Sequence, residues 1–211
     1  MAATEHPLQA LAQYLPKGSF EHVVKYLYQY KVHLTVAKNR KSVLGDYRHS
    51  IYGQNHRISV NGNLNQYEFL ITLLHELAHL LCFEQYQNRV DAHGKEWKFI
   101  YSGLLVEFIG WDVFPPEIVE ALQQSIISPA ATANGETALL MVLRRYNQSR
   151  KFGYYFLDEL PLNALFKLST GQVFRKGPLR RKRYSCIELK TGCIYIMSAI
   201  TEVTRLDVID P

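Results

Sequence analysis

The chain has 211 residues, 47% of them apolar and 20% charged, with a net charge of +5. That is long enough for one domain or two small ones and rules out a collagen-like, low-complexity or disordered chain. No apolar run reaches the length of a membrane span, and the start lacks a basic segment followed by a long apolar run, so neither a membrane partner nor a secretory signal is expected. The three cysteines, Cys82, Cys186 and Cys193, form no CxxC pair and no even-numbered framework, which fits a reducing, cytoplasmic setting.

In chain order, Phe20, Val23, Val24 and Leu27 recur at helical spacing and predict a helix over 19–29. Val32, Leu34 and Val36 alternate with polar residues and predict a strand; 42–49 and 55–60 read as two more, closed by a turn at Asn61-Gly62. Asn65 and Glu68 have the spacing of a capping box and open a helix over about 66–84. Its leucines are spread around the circumference, which predicts burial on most sides. A polar loop, 84–91, precedes a one-faced helix from Trp97 to Phe108, and "FPPEIVEALQQSI" gives a proline break and a short further helix. Residues 128–137 lack periodicity and read as a linker. Beyond them, five short β-type segments and turns at Thr170-Gly171 and Thr191-Gly192 predict a β-rich module over 138–211.

Charge and histidine divide the chain differently. Residues 160–190 hold eight Lys and Arg against the single Glu188, a net +7, which leaves −2 for everything else. All eight histidines fall at or before His93.

Three of those histidines carry the chemistry. His75 and His79 are four apart, so a helix brings both imidazoles to one face, one turn apart. Glu76 projects at an angle to the pair, where it reaches a water on a shared ion without binding the ion. This HExxH arrangement supplies two zinc ligands and a general base, and the ion lowers the pKa of its water from about 15.7 to near 7. A catalytic zinc takes three protein ligands and leaves one position open. His93, just before Gly94 and the helix that Trp97 docks, is the candidate for the third. Unpaired, three ionisable groups on so apolar a helix would cost several kcal/mol. Cys82 reads as a small buried apolar residue rather than a fourth ligand. Tyr52, Arg57 and Tyr86 are candidates for stabilising developing negative charge.

"HELAHLL" followed by "HGKEW", with "LTVAKNRKSVLGDYR" and "RISVNGNL" upstream, resembles the SprT-like zinc metalloprotease family, which includes the Spartan-type DNA–protein crosslink proteases. The resemblance covers roughly residues 20–110. It implies an α+β fold: a zincin-like domain over 1–127, with helices, a small antiparallel sheet and the HExxH helix, ahead of the β-rich module. It implies zinc on His75, His79 and His93, Glu76 as catalytic base, a protein or peptide substrate, and a link to DNA. Many members carry a four-cysteine zinc ribbon at the C-terminus; here Cys186 and Cys193 alone cannot build one.

The module's dense cations, Arg175, Lys176, Arg180, Arg181, Lys182 and Arg183, flanked by Phe174 and Tyr184, are candidate nucleic-acid contacts. The functional expectation is a zinc metallopeptidase acting on DNA-associated proteins. The alternatives are a non-catalytic, zinc-stabilised nucleic-acid-binding protein and an amidase of small molecules.

Overall fold

The computed structural model describes residues 8–40, 43–51, 53–127, 129, 137–147 and 153–206. They fall into two compact units, 1–147 and 148–211. The first is helical around a small sheet and the second is β-rich, so the molecule is α+β.

In the first unit, a 3-10 turn at Gln9–Tyr14 leads into α1 (Phe20–Gln29), which buries Val23, Val24 and Leu27. Strands β1 (His33–Ala37), β2 (Gly45–Arg48) and β3 (Arg57–Asn61) form a sheet ordered β1-β3-β2. The expectation of an antiparallel sheet is corrected: β2 is antiparallel to β3, but β1 is parallel to it. The β2–β3 hairpin returns the chain alongside β1 in the same direction, and periodicity alone carries no information on that choice.

Asn61, read as a turn residue, is instead fully buried. Its Nδ2 donates to the carbonyls of Arg40 (3.1 Å) and Val43 (3.0 Å), and its Oδ1 accepts from Arg40 Nε at 2.8 Å. Arg40 also donates to Ser59 Oγ at 3.0 Å. The chain entering β2 is thereby fastened to the end of β3.

Helix α2 (Gln66–Tyr86) is the axis of the unit. It buries residues on every side, from Phe69 and Leu70 to Leu80 and Cys82, as its all-round apolar pattern requires. Asn65 starts it: its Oδ1 accepts from the backbone N–H groups of Tyr67 and Glu68. Its Nδ2 donates to the Leu143 carbonyl at 2.9 Å and to Asn147 Oδ1 at 2.8 Å. Those partners follow or end α5 (Thr137–Arg144), a helix that sequence reading placed in the linker and the module. Its Leu139, Leu140 and Leu143 are buried, and it packs against α2 and α4 (Pro116–Ile127) in the first unit. The remainder of the expected linker lies outside the described residues, except Pro129. Asn65→Ala is expected to cost about 1–2 kcal/mol of stability. Asn65→Asp keeps the cap acceptor but sets a carboxylate oxygen against the Leu143 carbonyl and Asn147 Oδ1, so it is expected to recover only part of that in urea unfolding.

Helix α3 (Lys95–Gly110) follows the loop and buries Trp97, Tyr101, Leu104, Leu105 and Phe108 along one face, as its spacing predicts. No helix among the described residues is long and apolar enough to cross a membrane.

The second unit is a six-stranded antiparallel sheet ordered β4-β9-β5-β6-β7-β8. The strands are β4 (Tyr154–Phe156), β5 (Leu165–Lys167), β6 (Val173–Arg180), β7 (Arg183–Glu188), β8 (Ile194–Ser198) and β9 (Glu202–Arg205). Gly171 and Gly192 have positive φ at the expected turns. Leu157, Leu160, Phe166, Phe174, Cys186 and Val203 make the core.

Lys176 does not fit the expectation of an exposed cation: it is 4% exposed. Its Nζ donates to the carbonyls of Leu160 (2.6 Å) and Asp158 (3.2 Å) and sits 3.9 Å from the centre of the Tyr184 ring. Burial pushes its pKa down. Position 176 lies on the same face of β6 as buried Phe174, so strand alternation turns it inward. Phe174 stacks on Phe166 in the core, and Tyr184 donates its hydroxyl to Asp158, so neither is a free stacking platform. Arg175, Arg180, Arg181, Lys182 and Arg183 are exposed, the last four at the β6–β7 hairpin tip. Lys176→Met is expected to destabilise this unit by about 1.5–3 kcal/mol by orphaning two carbonyls, while leaving retention on a DNA column unchanged.

Candidate metal centre

Three elements bring the histidines together. α2 supplies His75 and His79 one turn apart. It ends at Tyr86 in a reversal with Gln87 at φ 55°, followed by a 3-10 turn over Gln87–Arg89. The chain then returns, and Gly94 caps α3 with its N–H bonded to the Asp91 carbonyl. His93 therefore stands at the mouth of α3, facing α2.

The ligand atoms of His75, His79 and His93 all lie within 4.8 Å of one another, the one such group of three or more metal-binding side chains among the described residues. His93 Nε2 is 3.4 Å from His75 Nε2. Ring centres are 5.1 Å apart for His75–His79, 5.4 Å for His75–His93 and 4.6 Å for His79–His93. Trp97 backs all three, at 4.7, 5.2 and 4.7 Å from the rings of His75, His79 and His93. The indole is fully buried and fixes the rings by packing.

Burial, and then the neighbouring imidazoles, lower His75 to about 3; burial and then His93 lower His79 to about 4. His93 is lowered by burial and then by Lys98. All three are neutral at pH 7, the state that offers lone pairs to a cation. At 3.4 Å the two Nε2 atoms form a hydrogen bond when one ring carries its proton there, and with both protons on Nδ1 they turn two lone pairs toward a shared cation. The donor set fits zinc.

Glu76 is 7% exposed and points to the β2 side of the helix, under Gly45. Burial first, and Asp46 second, raise its carboxyl to about 8, against an opposing effect of Arg40. A carboxyl held above its unfolded value makes folding less favourable as pH climbs from about 4.5 to 8. In metal-free protein, Glu76→Gln is therefore expected to stabilise at pH 8 by on the order of a few kcal/mol. The advantage should vanish toward pH 4.5; urea midpoints across pH measure it.

A cleft of about 450 Å³ opens over the cluster. α2 and the 87–93 loop line two sides, and Gly45, Asp46, Tyr47 and His49 line the third. Cys82 also lines it, buried, with a thiol pushed up by burial; it is not part of the ligand group. Of the residues considered for stabilising negative charge, Arg57 and Tyr86 do not line the cleft, and Tyr52 lies outside the described residues. Sequence reading missed the β2 wall. The alternation of Gly45, Tyr47 and His49 beside a buried helix was its one available signal.

Residues 10–108 match the family model described as SprT-like. The chain carries a SprT-like domain. That domain includes all three histidines and Glu76. The Protein SprT sequences of three strains of Pseudomonas putida are each 44% identical to the chain over 41 residues, 19% of this chain and 25% of theirs. The chain thus spans about a quarter of the length of the curated relatives it matches. No solved structure matches it. The second unit lies beyond the SprT-like match.

Proposed function

We propose that the SprT-like domain is a zinc-dependent metallopeptidase and that the second unit directs it to DNA-associated proteins. The reading rests above all on one observation: three imidazoles converge within 4.8 Å, and a buried carboxyl sits on the next residue of the same helix. His75, His79 and His93 would hold the ion, a three-ligand set of the kind that leaves a position for solvent. Zinc, when bound, supplies a Lewis acid that polarises a carbonyl and acidifies water.

Glu76 takes the proton of the attacking water on a carboxylate oxygen and delivers it to the leaving amide nitrogen. A carboxyl whose proton affinity is raised toward neutrality suits both halves of that exchange. β2 has β3 on one side and no other described strand on the other, and its residues line the cleft. It can offer backbone N–H and C=O groups to an extended peptide laid beside it.

Exposed Arg175, Arg180, Arg181, Lys182 and Arg183 support contact with nucleic-acid phosphates. The same five cations favour the rival reading, a zinc-stabilised nucleic-acid-binding protein without catalysis. Incubating the zinc-loaded chain with unfolded casein, and with a protein bound to single-stranded DNA, separates them. Cleavage by wild type and not by zinc-loaded Glu76→Gln supports the peptidase. Salt-dependent DNA binding with no cleavage of either substrate supports the rival.

A further inference from the structure

Alternate residues along β2 and beyond it meet successive turns of α2. Gly45 lies over Thr72 and Glu76. The Tyr47 ring lies parallel to that of His79, 6.4 Å between centres. His49, just past the strand, stacks on Phe83 at 4.5 Å. Two strand residues advance about 6.6 Å and one helical turn about 5.4 Å, so strand and helix run side by side with one inward position per turn. Tyr47 and His49 fill that space with rings. The position above the carboxyl has no side chain.

A side chain does not fit there. A Cβ on residue 45 would lie 2.5 Å from Glu76 Oε1, 2.8 Å from Glu76 Cγ and 2.9 Å from Thr72 Cγ2. Ordinary carbon contacts begin near ~3.5 Å. The backbone at 45 is not left-handed, so conformation does not demand glycine; space does. The strand has little freedom to retreat. Gly45 is paired with buried Val60, and its lead-in is fastened by Arg40 and by Asn61, whose backbone N–H also bonds the Leu44 carbonyl at 2.9 Å. Of the two side chains it would meet, the end of Glu76 moves more freely, and branched Thr72 gives less.

We propose that Gly45 is a positioning residue for Glu76, its missing side chain leaving the slot that holds the carboxyl beside the imidazole cluster. The functional consequence rests on Glu76 as the proton carrier; the contact itself does not. A methyl group at 45 displaces the carboxyl, and no imidazole atom is among the three atoms nearest to it.

The test is a cycle of Gly45→Ala, Glu76→Ala and the double variant, followed by thermal unfolding of metal-free protein. Gly45→Ala alone should lower Tm by about 4 °C, and in the Glu76→Ala background by less than half as much. Equal losses in both backgrounds overturn the proposal. If Gly45→Ala alone does not fold, a folded double variant is the same positive result, and an unfolded one is the negative result. In zinc-loaded protein, Gly45→Ala should retain wild-type zinc content and KM while kcat falls roughly tenfold to a hundredfold. Unchanged kcat, or zinc lost in step with activity, also overturns it. A wild-type chain that cleaves no peptide would end the peptidase reading, and the Tm cycle would still decide the placement of Glu76.

Discussion

Glu76→Gln is expected to lower peptide turnover by roughly a hundredfold to ten-thousandfold, with zinc content and KM near wild type. The amide has the size of the carboxyl and fits the same slot under β2, so the fold gives no reason for collapse. It cannot take a proton from water. Among the described residues no hydrogen bond joins the Glu76 side chain to the three histidines, and their convergence depends on α2, the 87–93 reversal and Trp97. Loss of turnover with metal retained therefore isolates the proton-carrying step. Loss of both together would give Glu76 a structural part in the site instead. Measuring kcat and KM on one peptide, alongside elemental analysis of the same preparation, separates the two.

His93→Ala is expected to weaken zinc binding by roughly a hundredfold or more, since one of three ligands is lost while the fold is kept. His93 is half-buried at the lip of the cleft, in contrast to buried His75, and its truncation removes little packing. Unfolding midpoints of the metal-free variant should stay close to wild type, while the stabilisation produced by added zinc shrinks. That stabilisation grows with the logarithm of free zinc over its dissociation constant, so a weakened site shows as a shifted zinc dependence of Tm. An unchanged dependence would mean that His93 contributes nothing to the ion.

Much of the site was legible because local rules and tertiary structure agree there. An all-round apolar helix has to be buried, and histidines four apart have to share a face. A histidine ahead of a glycine at a helix start has the freedom to turn back toward them. Asn65 is equally local: its spacing to Glu68 announces a capping box, and the Asn65 half of it is present, its Oδ1 accepting from the N–H groups of Tyr67 and Glu68. The parts that were not legible depend on partners distant in sequence. Asn61 in an Asn-Gly pair has the composition of a turn, yet it serves as a buried anchor because Arg40 and Val43 come to it across the sheet.

Helix α5 was hidden by the aperiodic stretch before it, although Leu139, Leu140 and Leu143 carry a helical stripe. Lys176 was read by its charge in a basic run. Strand alternation in β6, with Phe174 inward, would have turned it to the core with its ammonium needing carbonyls. The role of Gly45 lay beyond any local rule, since it is set by a carboxyl thirty-one positions later in the chain.

The claim on which the rest depends is that His75, His79 and His93 together bind one cation and leave a place on it for something other than the chain. X-ray absorption at the zinc edge of the loaded protein tests this most directly. The expected spectrum has three imidazole nitrogens at about 2.0–2.1 Å and a fourth neighbour that exchanges with added small ligands. A sulfur neighbour at about 2.3 Å, which would place Cys82 on the ion and close the site, would contradict the account, as would fewer than three imidazoles.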